Sequence, residues 1–323
     1  MSELQLQKNK VVRSRYLKYE ILERTKRWSW ILFRNALIFG ICFIILYPIL
    51  LKVSIAFKDR ADLFDMTVVW IPKHLTLDNF RSVAAIISYF ESLKNTFSIA
   101  VLTTVLQTIA CALAGYGFAR LKFKGQGVLF ALVIFTIVVP PQTLMIPTYL
   151  HYRYFDIMGI FSLITGGNGV NLLDSYWPFV ISSITAMGLK NGLYIFIFRQ
   201  FYRGLPKEIE EAAYVDGCSV PQTFFRIMMP NAVPALVTVI LFSFVWQWND
   251  TFFVSLFLSD TKVLSTQLLI LPSTMRLVTM DDPAYGSMLL NTGALMVMAP
   301  LIVLYLFVQR YFVESVERTG LVG

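Results

Sequence analysis

The chain has 323 residues, of which 56% are hydrophobic and only 15% are charged, and its formal net charge is +8. Soluble domains average roughly 45–50% apolar and about 25% charged residues. The composition therefore excludes a secreted disulfide scaffold, a disordered chain and most soluble enzymes, and it predicts a protein that crosses a membrane several times. The positive charge alone is compatible with nucleic-acid binding, so its meaning depends on where the basic residues lie.

Six long and mostly uncharged runs predict membrane-spanning helices, because a helix needs about 20 apolar residues to cross a bilayer. In chain order the runs cover about 30–57, 94–119, 128–150, 176–198, 232–258 and 286–308. They are too long for β-strands, which typically have about 4–8 residues. The predicted fold class is all-α: a polytopic membrane protein with six transmembrane helices in one membrane domain over residues 35–310. Pro140 and Pro141 predict a kink in the third span.

The basic residues predict how the chain is oriented, because cytoplasmic loops are enriched in Lys and Arg. Nine of them lie in an N-terminal tail over residues 1–34, and this tail, the alternate loops and the C-terminal end together hold 18 of the 28 basic residues. We therefore expect both termini, including a C-terminal tail over residues 311–323, to be cytoplasmic. This orientation requires an even number of spans, and six satisfies it. The +8 charge is thus an orientation signal, and we expect contact with membrane lipid and none with nucleic acid.

The cytoplasmic loop over residues 199–230 has sequence features of ordered structure. Pro206 suits the first turn of a helix, and three following Glu residues complement the positive end of its dipole. Gly217 is a C-terminal stop signal, and the spacing of Ser219 and Gln222 matches a capping box for a second helix. An apolar stripe is predicted along the first helix, formed by Leu205, Ile209, Ala212 and Ala213. A rigid knob of this kind is suited to docking into a groove on another protein.

The spacing of six residues in this loop resembles the EAA motif of bacterial ABC-importer permeases. The residues are Glu211, Ala212, Ala213, Gly217, Ile227 and Pro230, with Met229 standing where the family usually has Leu. The Trp248-Asn249-Asp250 triplet and the run Gln309-Arg310-Tyr311-Phe312-Val313 extend the likeness. The chain resembles, most closely, the carbohydrate permeases of the MalG-like, binding-protein-dependent transport family.

This resemblance implies partners and a division of labour. In the family, two homologous permease subunits form the pore, two cytoplasmic ATPase subunits supply the energy, and an extracytoplasmic binding protein delivers the solute, here a carbohydrate. The six motif residues would be the contacts that couple the ATPase to the pore. The implied location is the inner or plasma membrane of a bacterium. The chain itself would be no enzyme, and we expect no catalytic, cofactor-binding or metal site in it, since it has no phosphate-binding loop and no zinc-protease motif.

Residues that line or gate a pore are harder to find in the sequence. A lysine in hydrocarbon costs about 2.5–3.5 kcal/mol on insertion scales, and Lys190 interrupts the fourth span. Trp246, Trp248, Asn249 and Asp250 cluster in the fifth span. Either set is a candidate for the translocation path. The competing interpretation of Lys190 is a helix interruption that faces a partner subunit or water, and that of the fifth-span cluster is packing or gating against the partner permease.

Other functions fit the six spans less well. An ABC permease for a peptide, amino acid or ion would share the EAA motif, although the Trp-Asn-Asp triplet and the C-terminal run favour sugar. An ion-coupled secondary transporter often has internal repeats and several intramembrane acids, whereas Asp250 is the only acid within a predicted span. A membrane-embedded enzyme would need catalytic motifs that the sequence does not have.

Overall fold

A computed structural model describes residues 3–167, 169–278 and 282–320. The chain divides into two units, residues 1–76 and residues 77–323. The first unit contains α1 (Glu3–Ala56), a short 3-10 helix (Arg60–Leu63) and the segment up to Thr76. Helix α1 continues without a break from the predicted N-terminal tail into the predicted first span, and no residue of its most apolar 18-residue stretch within Glu23–Ala56 is buried.

The second unit contains fourteen helices within its described residues. In chain order they are α2 (Asp78–Ile86), α3 (Tyr89–Arg120), α4 (Gln126–Val138), α5 (Met145–Arg153), α6 (Ile160–Thr165), α7 (Trp177–Ile184), α8 (Asn191–Gly204), α9 (Glu208–Val215), α10 (Val220–Thr223), α11 (Met229–Asn231), α12 (Val233–Trp248), α13 (Phe252–Phe257), α14 (Leu264–Val278) and α15 (Pro283–Gly320). A π-helical turn, Phe224–Met228, joins α10 to α11. The predicted all-α class is confirmed. The C-terminal tail predicted for residues 311–323 is helical through Gly320, and its last three residues lie outside the described residues.

The described helices do not establish the predicted count of six spans. Three are long and apolar enough to cross a membrane: Glu23–Ala56, Tyr89–Arg120 and Pro283–Gln309. Two bent pairs raise the number to five if each pair is one span. Gln126–Val138 and Pro141–Arg153 meet at 103°, and Val220–Asn231 and Val233–Trp248 meet at 80°. The predicted kink at Pro140 and Pro141 is therefore present.

The fourth predicted span is the one that is interrupted. Helix α7 has 8 residues and α8 has 14, and residues 185–190 separate them. Ala186 and Lys190 in this break have φ angles of +55° and +62°. Such left-handed backbone is rare for residues with a side chain, so the helix cannot continue through it. Hydropathy is unaffected by backbone conformation, which explains why the apolar run looked continuous.

Helix α3 is the centre of the second unit and packs against α7, α8 and α12. Gly115 permits its close approach to α8, because a Cβ at this position would lie 2.5 Å from Cβ of Phe198. One buried cluster surrounds this contact and includes the N-terminal half of α12, the π turn and aromatic residues of α3 and α8. Helix α15 packs on the other side, against α2, α12 and α14. In the first cluster, the C-terminal end of α3 and the start of α12 pack beside the end of the loop over residues 199–230.

Candidate functional site

The loop between α8 and α12 contains the helix that the capping signals predict. Helix α9 begins at Glu208, directly after Pro206 and Lys207, and three Glu residues occupy its first turn. Their charges stabilise the helix N-terminus, where the backbone dipole is positive. At the other end, Gly217 has a φ of +81°, and the amide of Cys218 donates to the carbonyl of Ala213 at 2.9 Å. This is the pattern of a glycine-terminated helix, so a residue with a side chain at this position would be strained.

Three motif residues are exposed on α9 or directly after its end. Glu211, Ala212 and Gly217 are exposed, and Val215 beside them is 87% exposed. Glu211, Ala212 and Val215 share one helix face, because residues four apart are neighbours on a helix. We call Glu211, Ala212, Val215 and Gly217 the exposed EAA face. Val215 was not predicted as a member, although its helical spacing from Glu211 could have identified it.

The predicted apolar stripe is only partly correct. Ala212 is exposed and can meet another surface, but Ala213 is buried within the chain, and Leu205 and Ile209 are half-buried. The buried side of α9 is instead completed by Glu210, which was not predicted as an inward-facing residue. The helix is therefore rotated so that one Glu of the adjacent pair faces the protein and the other faces solvent.

Glu210 contacts the end of α3 through both carboxylate oxygens. The hydroxyl of Tyr116 donates to Oε1 at 2.8 Å, and Nε of Arg120 forms an ion pair with Oε2 at 3.0 Å. Nη2 of Arg120 also donates to the carbonyl of Leu205 at 2.6 Å. Sequence reasoning missed this group, since nothing in the spacing distinguishes Glu210 from Glu211.

The chain leaves α9 through a short helical segment that holds the remaining motif residues. The amide of Ser219 donates to Oε1 of Gln222 at 2.9 Å, which is one half of the predicted capping box. The π turn follows and contains Ile227, which is half-buried, and Pro230 lies exposed in α11. The structure therefore groups Glu211, Ala212 and Gly217 on one surface, whereas Ile227 and Pro230 belong to the exit segment.

The candidate pore residues separate into two groups. The ammonium group of Lys190 lies 4.3 Å from the ring centroid of Trp246, which is a cation–π contact. Both side chains are at least partly exposed. The pair links the break in the fourth predicted span to the fifth.

The other three candidates are on or near the last turn of α12. Trp248 is only 1% exposed, and its indole donates to the carbonyl of Val297 at 3.3 Å. Asp250 is buried and its Oδ1 accepts from the amides of Phe252 and Phe253, both at 3.1 Å. Asn249 is exposed and donates to the carbonyl of Val245 at 2.8 Å. These contacts make Trp248 and Asp250 packing and turn-forming residues of the single chain.

Comparison with known proteins places this arrangement in a family. Residues 107–318, which include α3 from its middle onward and the whole loop of residues 199–230, match the family described as "Binding-protein-dependent transport system inner membrane component". The chain belongs to this family and is an ABC-importer permease, an inner-membrane component of a transport system.

Several relatives of the chain carry names of sugar transporters. It is 30% identical over 289 residues to the arabinooligosaccharides transport system permease protein AraQ of Halalkalibacterium halodurans, covering 88% of this chain and 93% of that protein. It is 32% identical to the alpha-glucoside transport system permease protein AglG of Rhizobium meliloti, covering 78% and 62%. The trehalose transport system permease protein SugB of Mycobacterium tuberculosis is 28% identical, with 86% and 93% covered.

A solved structure has the same fold. It is a chain of a bacterial ABC transporter involved in the import of the acidic polysaccharide alginate, and it superposes with a TM-score of 0.68. The match covers 87% of this chain and 95% of that chain at 23% identity. At this identity the likeness concerns the fold alone.

Proposed function

We propose that the chain is the permease subunit of an ATP-driven importer that moves a sugar or oligosaccharide delivered by an extracytoplasmic binding protein. Its partners would be a second homologous permease, with which it forms the pore, and two cytoplasmic ATPase subunits. The proposed location is a bacterial inner or plasma membrane, with both termini cytoplasmic. The sugar class is supported by the relatives named for arabinooligosaccharides, alpha-glucosides and trehalose.

The single observation that carries this proposal is the exposed EAA face. Helix α9 presents a carboxylate, a small residue and an uncovered valine beside one another. A contiguous patch of this kind, with apolar and charged groups in reach of one partner, is typical of a docking surface. Glu211 supplies charge for a basic partner, Ala212 permits close approach, and Gly217 sets the turn. Ala213, Ile227 and Pro230 support the face from behind and along the exit segment.

The solute path is proposed to pass the Lys190–Trp246 pair. An aromatic face beside a cation suits a sugar, since the ring can stack on the apolar face of a pyranose and the ammonium group can donate to its oxygens. Asn249 is an exposed amide one turn beyond Trp246 and is assigned to the same path or to its gate. Trp248 and Asp250 are assigned to gating through the packing of α12, rather than to contact with solute.

The proposal is tested by substitutions on the exposed EAA face in a complex purified from membranes. Glu211→Gln removes a charge that faces the partner, and Gly217→Ala strains the turn by about 1–2 kcal/mol. Glu211→Gln is expected to reduce recovery of the ATPase subunits by about tenfold or more, because hydrogen bonds to charged groups contribute about 1.5–3 kcal/mol. Gly217→Ala is expected to reduce recovery by a similar factor, because the strained turn displaces the exposed EAA face. Sugar uptake in proteoliposomes should fall in parallel.

Asp216→Asn is the matched control. Asp216 is an exposed carboxylate directly after α9, about 100° around the helix axis from Val215, so recovery and uptake should stay within about twofold of the wild type, as is usual for surface substitutions. Undiminished uptake by Glu211→Gln in preparations that contain no ATPase subunit would contradict the proposal.

A further inference from the structure

Tyr116 and Arg120 are one helical turn apart at the end of α3, and together they hold the coupling helix α9. The phenol hydroxyl donates to Glu210 at 2.8 Å and the guanidinium pairs with the same carboxylate at 3.0 Å. Arg120 also binds the carbonyl of Leu205, in the turn that leads into α9. The two side chains therefore bind both α9 and the turn that precedes it.

The ring of Tyr116 also contacts the segments on either side of α9. Its centroid lies 5.7 Å from that of Tyr202, in the last turns of α8, and 5.2 Å from that of Phe224, in the π turn. All three rings are buried. The entry, the coupling helix and the exit thus meet at a single side chain of α3.

Burial makes this contact difficult to open. The side chains of Arg120 and Glu210 are 7% and 9% exposed. Separating a buried ion pair leaves two charges without compensation, and the loss of one partner is strongly destabilising. Helices α9 and α3 are consequently expected to move together when α9 is displaced.

We propose that Tyr116, Arg120 and Glu210 form a joint that transfers movement of the coupling helix to α3, and that Glu210, not the motif residue Glu211, carries this link. The inference rests on the proposed function and assigns positioning residues within the same site. Helix α3 continues from the joint to Gly115, where it contacts α8, and to Gln107, which donates to Ser243 of α12. Displacement of its end therefore reaches both helices that flank the Lys190–Trp246 pair.

The test is the ratio of ATP hydrolysed to sugar imported, measured with the complete importer in proteoliposomes. Glu210→Gln and Arg120→Gln lower the stability of the permease, but the protein that accumulates in membranes is expected to retain the ATPase subunits within about twofold, because the exposed EAA face is unchanged. Sugar import should fall by about tenfold or more at a similar hydrolysis rate, since a charged hydrogen-bonded link is lost. A merely structural role would lower hydrolysis and import together.

A double-mutant cycle separates the joint from independent effects. Glu210→Gln combined with Arg120→Gln should be no worse than the poorer single variant, because the same contact is already broken. Tyr116→Phe, which retains the ring and removes one hydrogen bond, serves if the charge variants fail to accumulate in membranes. Asp216→Asn is the control, because Asp216 is exposed and does not belong to the joint.

Three outcomes would overturn the joint: an unchanged ratio in both charge variants, import losses that multiply in the double variant, or loss of ATPase recovery in Glu210→Gln equal to that in Glu211→Gln. Failure of the proposed function is distinguishable, because it would show as normal ATPase recovery in the Glu211 variant.

Discussion

Asp62 shows how one carboxylate can hold the segment between α1 and α2. Its Oδ2 accepts from the amide of His74 at 2.9 Å, and its Oδ1 lies 2.8 Å from Nδ1 of the same residue. The backbone hydrogen bond from His74 holds the pKa of Asp62 below its ordinary value, with a further contribution from the His74 ring and against the opposing effect of desolvation. A lowered pKa contributes stability that is present above the ordinary aspartate value of about 3.9 and is lost as the pH falls through the folded value.

Acidification is therefore expected to loosen the segment of residues 58–75. Limited proteolysis of the purified permease between pH 7 and pH 3 should show cleavage in this segment rising below about pH 4, the range in which a free aspartate is protonated. Asp62→Asn should be cleaved more readily at pH 7 and should lose part of the acid response. Asp59→Asn is the control, because asparagine caps a helix as well as aspartate does. An acid response that is identical in Asp62→Asn and the wild type would contradict this expectation.

At the scale of elements, the break between α7 and α8 is held by a buried amide network. Gln107 of α3 donates to the hydroxyl of Ser243, which donates to Thr104 at 3.0 Å. In the orientation that satisfies both ends of its amide, Asn191 donates to Oε1 of Gln107 at 2.8 Å and accepts from the amide of Gly188 at 2.9 Å. The network thus supplies an acceptor for the amide of Gly188 in the break between α7 and α8, in keeping with the rule that buried backbone groups are paired.

Gln107→Leu is expected to destabilise the permease by about 1–3 kcal/mol, because the buried amide N–H of Asn191 loses its acceptor and the Ser243 hydroxyl loses one of its two hydrogen bonds. A lower midpoint of thermal unfolding in detergent, read from tryptophan fluorescence, would measure the loss. Val105→Leu is the control, since Val105 lies on the same helix and is 51% exposed. Equal midpoints for Gln107→Leu and Val105→Leu would show that the network does not stabilise the break.

The sequence was sufficient for features that depend on local patterns and not for those that depend on rotation and packing. Long apolar runs predicted the helical class, Pro140 and Pro141 predicted a bend, and Pro206 and Gly217 predicted the ends of α9. The break at residues 185–190 was invisible because hydropathy does not register backbone conformation. The different environments of Glu210 and Glu211 were also invisible, because adjacent residues differ only in the helix face on which they lie.

At the scale of the whole molecule, the basic residues predict which loops face the cytoplasm. Labelling of a native and an introduced cysteine can measure this orientation. Met66, in the segment after α1, is 98% exposed, whereas Cys218 is partly exposed in the loop that follows α9. In a Cys218→Ser background, Met66→Cys should react with a membrane-impermeant maleimide in intact cells. Cys218 of the wild type should react only after permeabilisation. Labelling of Cys218 in intact cells would reverse the proposed orientation.

The π turn at Phe224–Met228 affects how the helix after it is rotated about the helix axis. Each residue of an α-helix advances the chain by about 100°, and a π turn accommodates one extra residue within a helix. Deletion of one residue there would turn α11, with Pro230, by roughly that angle relative to the exposed EAA face. The number of residues between Gly217 and Pro230 therefore determines how α11 is rotated relative to the exposed EAA face. Substitutions in this interval are expected to be tolerated more readily than a change in its length.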